Sequence, residues 1–217
     1  MECSNCELMG SLACRFPRAT TIKFGSEDVW FLGREVTELT AALAALPTGC
    51  WPAVTSAGGH CLTPEAAAQL QRLCPRLTPC VRVSARQPSV AEALRALVPA
   101  ARVVEGLELR FDQGSYVPGD AVRAGPALAR LRNLRQLRLG SGTPACAAGL
   151  LPAALPALTA LSMLSFDCIS WDVPPPRLGP CPESLQRLEI RCMSEAQLHG
   201  ILESAPSLAG ITWLSLG

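Results

Sequence analysis

Leucine recurs through this chain at a spacing that admits few folds. Leu134, Leu137 and Leu139 form an L-x-x-L-x-L, and Leu185, Leu188 and Ile190 repeat it with one conservative change. Val104, Leu107 and Leu109 make a further copy, as do Leu161, Leu164 and Phe166, and Ile211, Leu214 and Leu216. Weaker copies stand at Ala19, Ile22 and Phe24, at Thr78, Val81 and Val83, and at Trp51, Val54 and Ser56. The central positions are then 22, 54, 81, 107, 137, 164, 188 and 214, spaced by 32, 27, 26, 30, 27, 24 and 26 residues. A period of this length marks stacked supersecondary units. One such unit cannot bury its apolar side alone, so neighbours must cover it.

Helical spacing fills the intervals. Glu27 to Leu46 carries apolar residues at helical spacing. Thr63-Pro64-Glu65 opens another helix: Thr caps the first free amides, and Pro fits a first turn whose amide has no partner to lose. Ser89 to Val98 follows, then Pro118 to Leu131, where Gly125-Pro126 is expected to break or restart the helix. Ser194 is expected to cap the last helix, which runs to about Ser204. Pro17, Pro75, Pro99, Pro156, Pro182 and Pro206 mark the exits toward the strands, because proline cannot continue a helix. The segment from Val173 to Pro182, with Pro174, Pro175 and Pro176, is expected to stay extended.

The unit of short strand, turn, helix and Pro-x-Leu return resembles a leucine-rich repeat. The likeness is nearest to ribonuclease-inhibitor-like and F-box-type proteins, and "LTPEAAAQLQRLCPRL" at 62–77 looks like their convex helix with its Cys-Pro exit. The resemblance implies an α/β solenoid, a horseshoe with parallel strands on the concave face, helices on the convex face and about seven to eight repeats. It covers residues 19–217, with 1–18 read as a helical cap or the remnant of a preceding domain. The chain departs from the family pattern in one respect. The Asn or Cys usual three residues after the last strand leucine is replaced by Gly142, Ile169 and Met193, with Cys168 and Cys192 one residue early. Two registers stay open: Leu155, Leu158, Leu161 and Leu164 recur every three residues, and Leu208-Ile211-Trp213 competes with Ile211-Leu214-Leu216. No polar unit follows Leu216, so a repeat domain truncated at its C-terminus is expected, with apolar area facing water there.

Composition narrows the function. Net charge is +1, without the basic excess that a nucleic-acid binder carries. Of 19 basic residues only Lys23 is lysine, so the abundance of Arg reads as compositional bias and only its placement carries information. Eleven Cys is an odd number, and no signal peptide precedes them, so reduced thiols in the cytoplasm or nucleus are expected. Cys3 and Cys6 form a C-x-x-C with only Cys14 nearby, which is short of a zinc set. Residues 139–166 lack charge, but Pro152 and Pro156 interrupt them, so they read as buried repeat rather than a membrane span. Gly140-Ser-Gly142 reads as a turn, His60 as a loop residue and His199 as a surface residue.

In L-x-x-L-x-L the leucines point inward and the residues between them alternate onto the sheet's other face. That reading gives Lys23, Arg82, Glu108, Arg110, Gln136, Arg138, Ser165, Asp167, Arg187, Glu189, Arg191 and Trp213, an Arg-rich stripe suited to an acidic protein segment. Trp213 is an anchor in one register and core in the other. No nucleophile, base and orienter fall together, so no enzyme, cofactor or metal is expected. The expected role is a protein-interaction module. The resemblance implies a substrate-recognition arm of an SCF-type ubiquitin ligase where an F-box precedes the repeats in a longer parent. A scaffold in cytoskeletal or ciliary assemblies is the alternative.

Overall fold

The structure is a computed structural model and describes residues 18–24, 40–59, 63–78, 81–86, 89–110, 120–140, 150–166, 178–191, 195–204 and 208–216. It is a mixed α/β fold. Strands β1 (Thr21–Phe24) and β2 (Ser56–Gly59) pair in parallel. Strands β3 (Val81–Arg86), β4 (Val104–Arg110), β5 (Gln136–Leu139), β6 (Met163–Phe166), β7 (Arg187–Ile190) and β8 (Trp213–Leu216) form a second parallel sheet in chain order. The Thr78 amide donates to the Thr55 carbonyl at 3.0 Å, linking the approach to β3 back to the approach to β2.

Parallel neighbours need a crossover, and helices supply several of them. Helix α1 (Pro64–Leu73) begins where Thr63 Oγ1 accepts the Ala66 amide at 3.2 Å. Helix α2 (Val90–Leu97) begins where Ser89 Oγ accepts the Glu92 amide at 3.3 Å. The Thr63 cap stands where the sequence placed it. Helices α3 (Asp120–Leu128) and α4 (Glu195–Ser204) follow, and residues 40–44 and 150–154 are also helical. Helix α2 packs between α1 and α3, so helices neighbour in chain order as the strands do.

The core is a set of rows. Leu107, Leu137, Leu164 and Leu188 are register partners across β4–β7 and all are buried. Leu109, Leu139, Phe166 and Ile190 make a second buried row. Both rows end on β8, where Leu214 is 50% exposed and Leu216 is 55% exposed.

A single turn recurs ahead of the strands. The amides of Val54, Leu77, Val103, Leu134, Leu161, Leu185 and Ile211 each donate to the carbonyl three residues back, at 2.9–3.3 Å. Side chains tie two of these turns to the one before. Asn133 Nδ2 donates to the Arg102 carbonyl at 2.9 Å, and Ser184 Oγ to the Leu161 carbonyl at 2.7 Å. At the strand entries a Ser/Thr ladder does the same. Thr78 Oγ1 donates to Thr55 O at 2.6 Å, Ser162 Oγ to Arg135 O at 3.1 Å and Thr212 Oγ1 to Gln186 O at 3.3 Å. These hydroxyls add a side-chain bond to carbonyls that already accept backbone amides from the same entry segment. The positions of the expected Asn/Cys ladder, 142, 168, 169, 192 and 193, lie outside the described residues.

Three expectations are corrected. Val54 is not a mid-strand residue: it closes the turn, and Ala57 is the partner of Ile22. Val83, not Val81, stands opposite Leu107: Val81 pairs with Val104, and an irregularity between Val81 and Arg82 brings Arg82 to Gly106. Pro126 does not break its helix, which continues to Leu128. Pro126 is exposed, and so is Val122, the residue whose carbonyl an ordinary amide at 126 would meet, so the proline sits on the solvent side of the helix. Gly125 is required beside it, because a Cβ there would lie 2.8 Å from Ala153 Cβ on the neighbouring helical segment. The two open registers resolve as Leu161-Leu164-Phe166 and Ile211-Leu214-Leu216.

Arg72 shows what placement does for an arginine. Its Nη2 donates to Leu43 O at 2.9 Å and Ala44 O at 3.3 Å, and its Nη1 to Leu46 O at 2.8 Å and Thr48 Oγ1 at 3.2 Å. Nε donates to Gln69 Oε1 at 2.7 Å. One guanidinium therefore caps the C-terminal carbonyls of the helical residues 40–44, where positive charge also suits the helix dipole.

Cys50 and Cys74 are not joined in a disulfide. Burial pushes the Cys74 thiol from 9.0 up to about 12, with Cys50 adding a smaller push in the same direction. Two results are expected. Iodoacetamide at neutral pH leaves Cys74 unmodified in the native chain and alkylates it only in denaturant, read by peptide mass. Between about pH 9 and pH 12 the unfolded chain releases this proton and the folded chain keeps it, so Cys74 lowers stability as pH rises through that window. Native alkylation of Cys74 at neutral pH would contradict the first.

Candidate functional site

The face of the β3–β8 sheet opposite the leucine rows carries the chemistry. On β5, Leu137 and Leu139 are buried while Gln136 and Arg138 are partly exposed, the alternation of a strand with one face open. Register then builds two rows. Arg82, Gly106, Gln136, Met163, Arg187 and Trp213 stand opposite one another across the six strands. Ser84, Glu108, Arg138, Ser165, Glu189 and Ser215 form the second row.

The expected stripe is largely placed by this register. Glu108 stands directly across from Arg138. Arg82 and Arg110 lie on β3 and β4, opposite Gly106 and Arg86. Lys23 is separate from the stripe, on β1 opposite Gly58. Arg191 follows β7, its amide donating to Phe166 O at 2.9 Å. Asp167 lies outside the described residues, as do His60, Cys3, Cys6 and Cys14.

The side chains converge at the β6–β8 end. Glu189 is only 1% exposed, although it belongs to the open face. Arg187 covers one of its oxygens: Nη2 is 2.6 Å and Nε 2.8 Å from Oε1. Arg191 Nη2 lies 3.4 Å from Oε2, and Ser165 Oγ donates to the same oxygen at 3.3 Å. A buried carboxylate is stable only where charge and hydrogen bonds offset its lost hydration, and here three side chains do so. Above this pair the Arg187 guanidinium lies over the Trp213 ring, 3.8 Å from its centroid. Trp213 is 42% exposed, so it belongs to the open face and not to the core.

Two features of this cluster were not legible in the sequence. Glu189 was expected beside the arginines and lies beneath them. Met163 and Ser165 are both buried on the face that was expected to be polar and solvated. The L-x-x-L-x-L pattern assigns a face to each residue. It does not say which neighbours, along the strand or across it, are long enough to cover it.

Other chemistry is sparse. Among the described residues no group of three or more His, Cys, Asp or Glu is placed to hold a metal ion. His199 is exposed on α4, its Nδ1 3.3 Å from Glu203 Oε1 one turn on. No helix among the described residues is long and apolar enough to cross a membrane. No protein-family model matches the chain, and no curated protein matches it.

Proposed function

We propose that the chain is a leucine-rich-repeat solenoid of about seven to eight units that works without catalysis as a protein-interaction module. Its partner docks on the open, concave face of the β3–β8 sheet. One observation carries the reading: Gln136, Arg187 and Trp213 stand in one register row of the sheet and are partly or well exposed, with buried leucines on the opposite face. A parallel sheet of a globular α/β protein is normally covered on both faces by helices, and an open one presents a broad, rigid surface to a partner. The leucine-rich-repeat resemblance, the recurring turn and the in-order strands support the solenoid part of the proposal.

Within a longer parent that also carries an F-box, the module would serve as the substrate-recognition arm of an SCF-type ligase in the cytoplasm or nucleus. Affinity purification of the endogenous protein, followed by hydrogen-exchange mapping of the full chain with its stoichiometric partner, tests both levels. Protection on β5–β8 is expected. Protection confined to the helices overturns the open-face reading. A partner set without an SCF adaptor overturns the ligase role and leaves the scaffold.

A further inference from the structure

Strand β8 ends the second sheet, and no strand lies beyond it among the described residues. Its sequence is nonetheless that of an interior strand. Trp213-Leu214-Ser215-Leu216 matches Met163-Leu164-Ser165-Phe166 of β6 place for place: apolar, Leu, Ser, apolar. All four β6 residues are buried between two neighbouring strands, whereas Trp213, Leu214 and Leu216 are 42%, 50% and 55% exposed. Edge strands are ordinarily blunted by charge, proline or a bulge, because open backbone groups beside apolar side chains invite another strand. On β8 the register is regular, the strand holds no proline, and no side chain from Ser204 to Gly217 is charged. The backbone is also placed to pair. The Trp213 amide donates to Gln186 O at 3.1 Å, which turns the odd-numbered residues of β8 toward β7. Successive residues of a strand bond to opposite sides, so Leu214 and Leu216 aim N–H and C=O at the open edge.

We propose that a second copy of this chain covers this edge, β8 pairing antiparallel with β8 about a two-fold axis through Ser215. That axis sets Leu214 opposite the partner's Leu216, and Leu216 opposite the partner's Leu214. All four are outward-bonding positions, so each pair exchanges two backbone hydrogen bonds. An axis through Leu214 fits less well, because it brings Leu216 to Thr212, whose amide already donates to Gln186 O at 2.9 Å. Residues opposite one another in an antiparallel pair share a face, so the leucine rows run on from one copy into the next. Leu188 and Leu214 of one copy then meet Leu216 and Ile190 of the other. Charge selects a copy as the occupant: a two-fold sets like against like, and this uncharged edge has nothing to repel itself with. The Trp213 and Arg187 side of the sheet is left open to a partner. One strand edge is a small interface, so a dissociation constant on the order of tens of micromolar is expected. At about 1 µM the chain is then a monomer, and urea denaturation at that concentration reads Leu214 as a half-exposed residue.

Sedimentation equilibrium of the full chain, from about 1 µM to about 200 µM, tests the proposal. A monomer–dimer equilibrium is expected. Leu216→Glu, at a position more than half exposed in one chain, sets a carboxylate against the partner's Leu214 and is expected to weaken association at least tenfold. Adding Leu214→Lys to that variant sets an ammonium opposite each carboxylate and is expected to recover most of the loss, which a misfolded chain could not do. Val122→Glu, at the exposed apolar residue of α3, is expected to leave association unchanged. A chain that stays monomeric across the range overturns the proposal and leaves β8 to a strand of another protein or to a further unit of a longer parent. A dimer indifferent to Leu216→Glu, or weakened as much by Val122→Glu, has its interface elsewhere and also overturns it. A loss that Leu214→Lys deepens overturns the two-fold at Ser215. Open polymers, the product of a head-to-tail contact, overturn it as well.

Discussion

Leu164→Ala is expected to lower the unfolding free energy by about 3–4 kcal/mol, read from equilibrium denaturation in urea. Leu164 is fully buried, and its register partners are Leu137 on one side and Leu188 on the other. Both flanking strands are held by the backbone ladder, so the site cannot close around the missing methyls, and the cavity adds to the lost transfer energy. Leu214→Ala is the internal control. It occupies the same row one strand beyond Leu188 but is half exposed, so its cost is expected below about 1 kcal/mol. Equal losses at the two positions would refute the stacked-row account of the core.

The second large effect concerns the buried charge. Arg187→Ala removes the closest partner of Glu189 and leaves the carboxylate with the longer Arg191 contact and the Ser165 hydroxyl. Breaking a fully buried pair costs about 3–5 kcal/mol, and about 2 kcal/mol is expected here because Arg187 is itself half exposed and solvent screens part of the pair. The double variant Arg187→Ala, Glu189→Gln is expected to recover more than half of that loss, since a neutral amide in the same place no longer needs a cation. A double-mutant cycle measures this coupling directly. Additive losses would mean that Glu189 gains nothing from Arg187, and the two-level charge arrangement of the face would fall with it.

The contrast between Arg72 and the arginine count illustrates how far composition reaches. An Arg-for-Lys bias across the whole chain says little about any one residue. Yet Arg72 spends its Nε, Nη1 and Nη2 groups on two neighbouring segments, and Arg187 spends two groups on Glu189. The Arg72 Nη bonds reach Leu43 and Leu46, 29 and 26 positions away, and the Arg187 guanidinium lies on Trp213 of the next strand. No local pattern records these contacts, although the Arg72–Gln69 and Arg187–Glu189 bonds are local.

By itself the amino-acid sequence determined the recurring elements, because their causes are local. The caps at Thr63 and Ser89 need only the next turn of helix, and the strong L-x-x-L-x-L copies need only the alternation of a strand. Those copies entered the sheet in the register their pattern implies, from Leu107 through Leu214. Tertiary structure alone decided what depended on neighbours. It moved the weak copies to Ala57 and Val83, where partner strands and a bulge, not periodicity, set the register. It let α3 run through Pro126, which is exposed, as is Val122 one turn before it. It chose between the two frames near Trp213, and so placed that ring on the open face against Arg187 and sank Glu189 beneath two guanidinium groups. Pattern fixes which face a side chain takes. Burial is a property of what stands beside it, and in a parallel stack those neighbours come from units some 24 to 30 residues away.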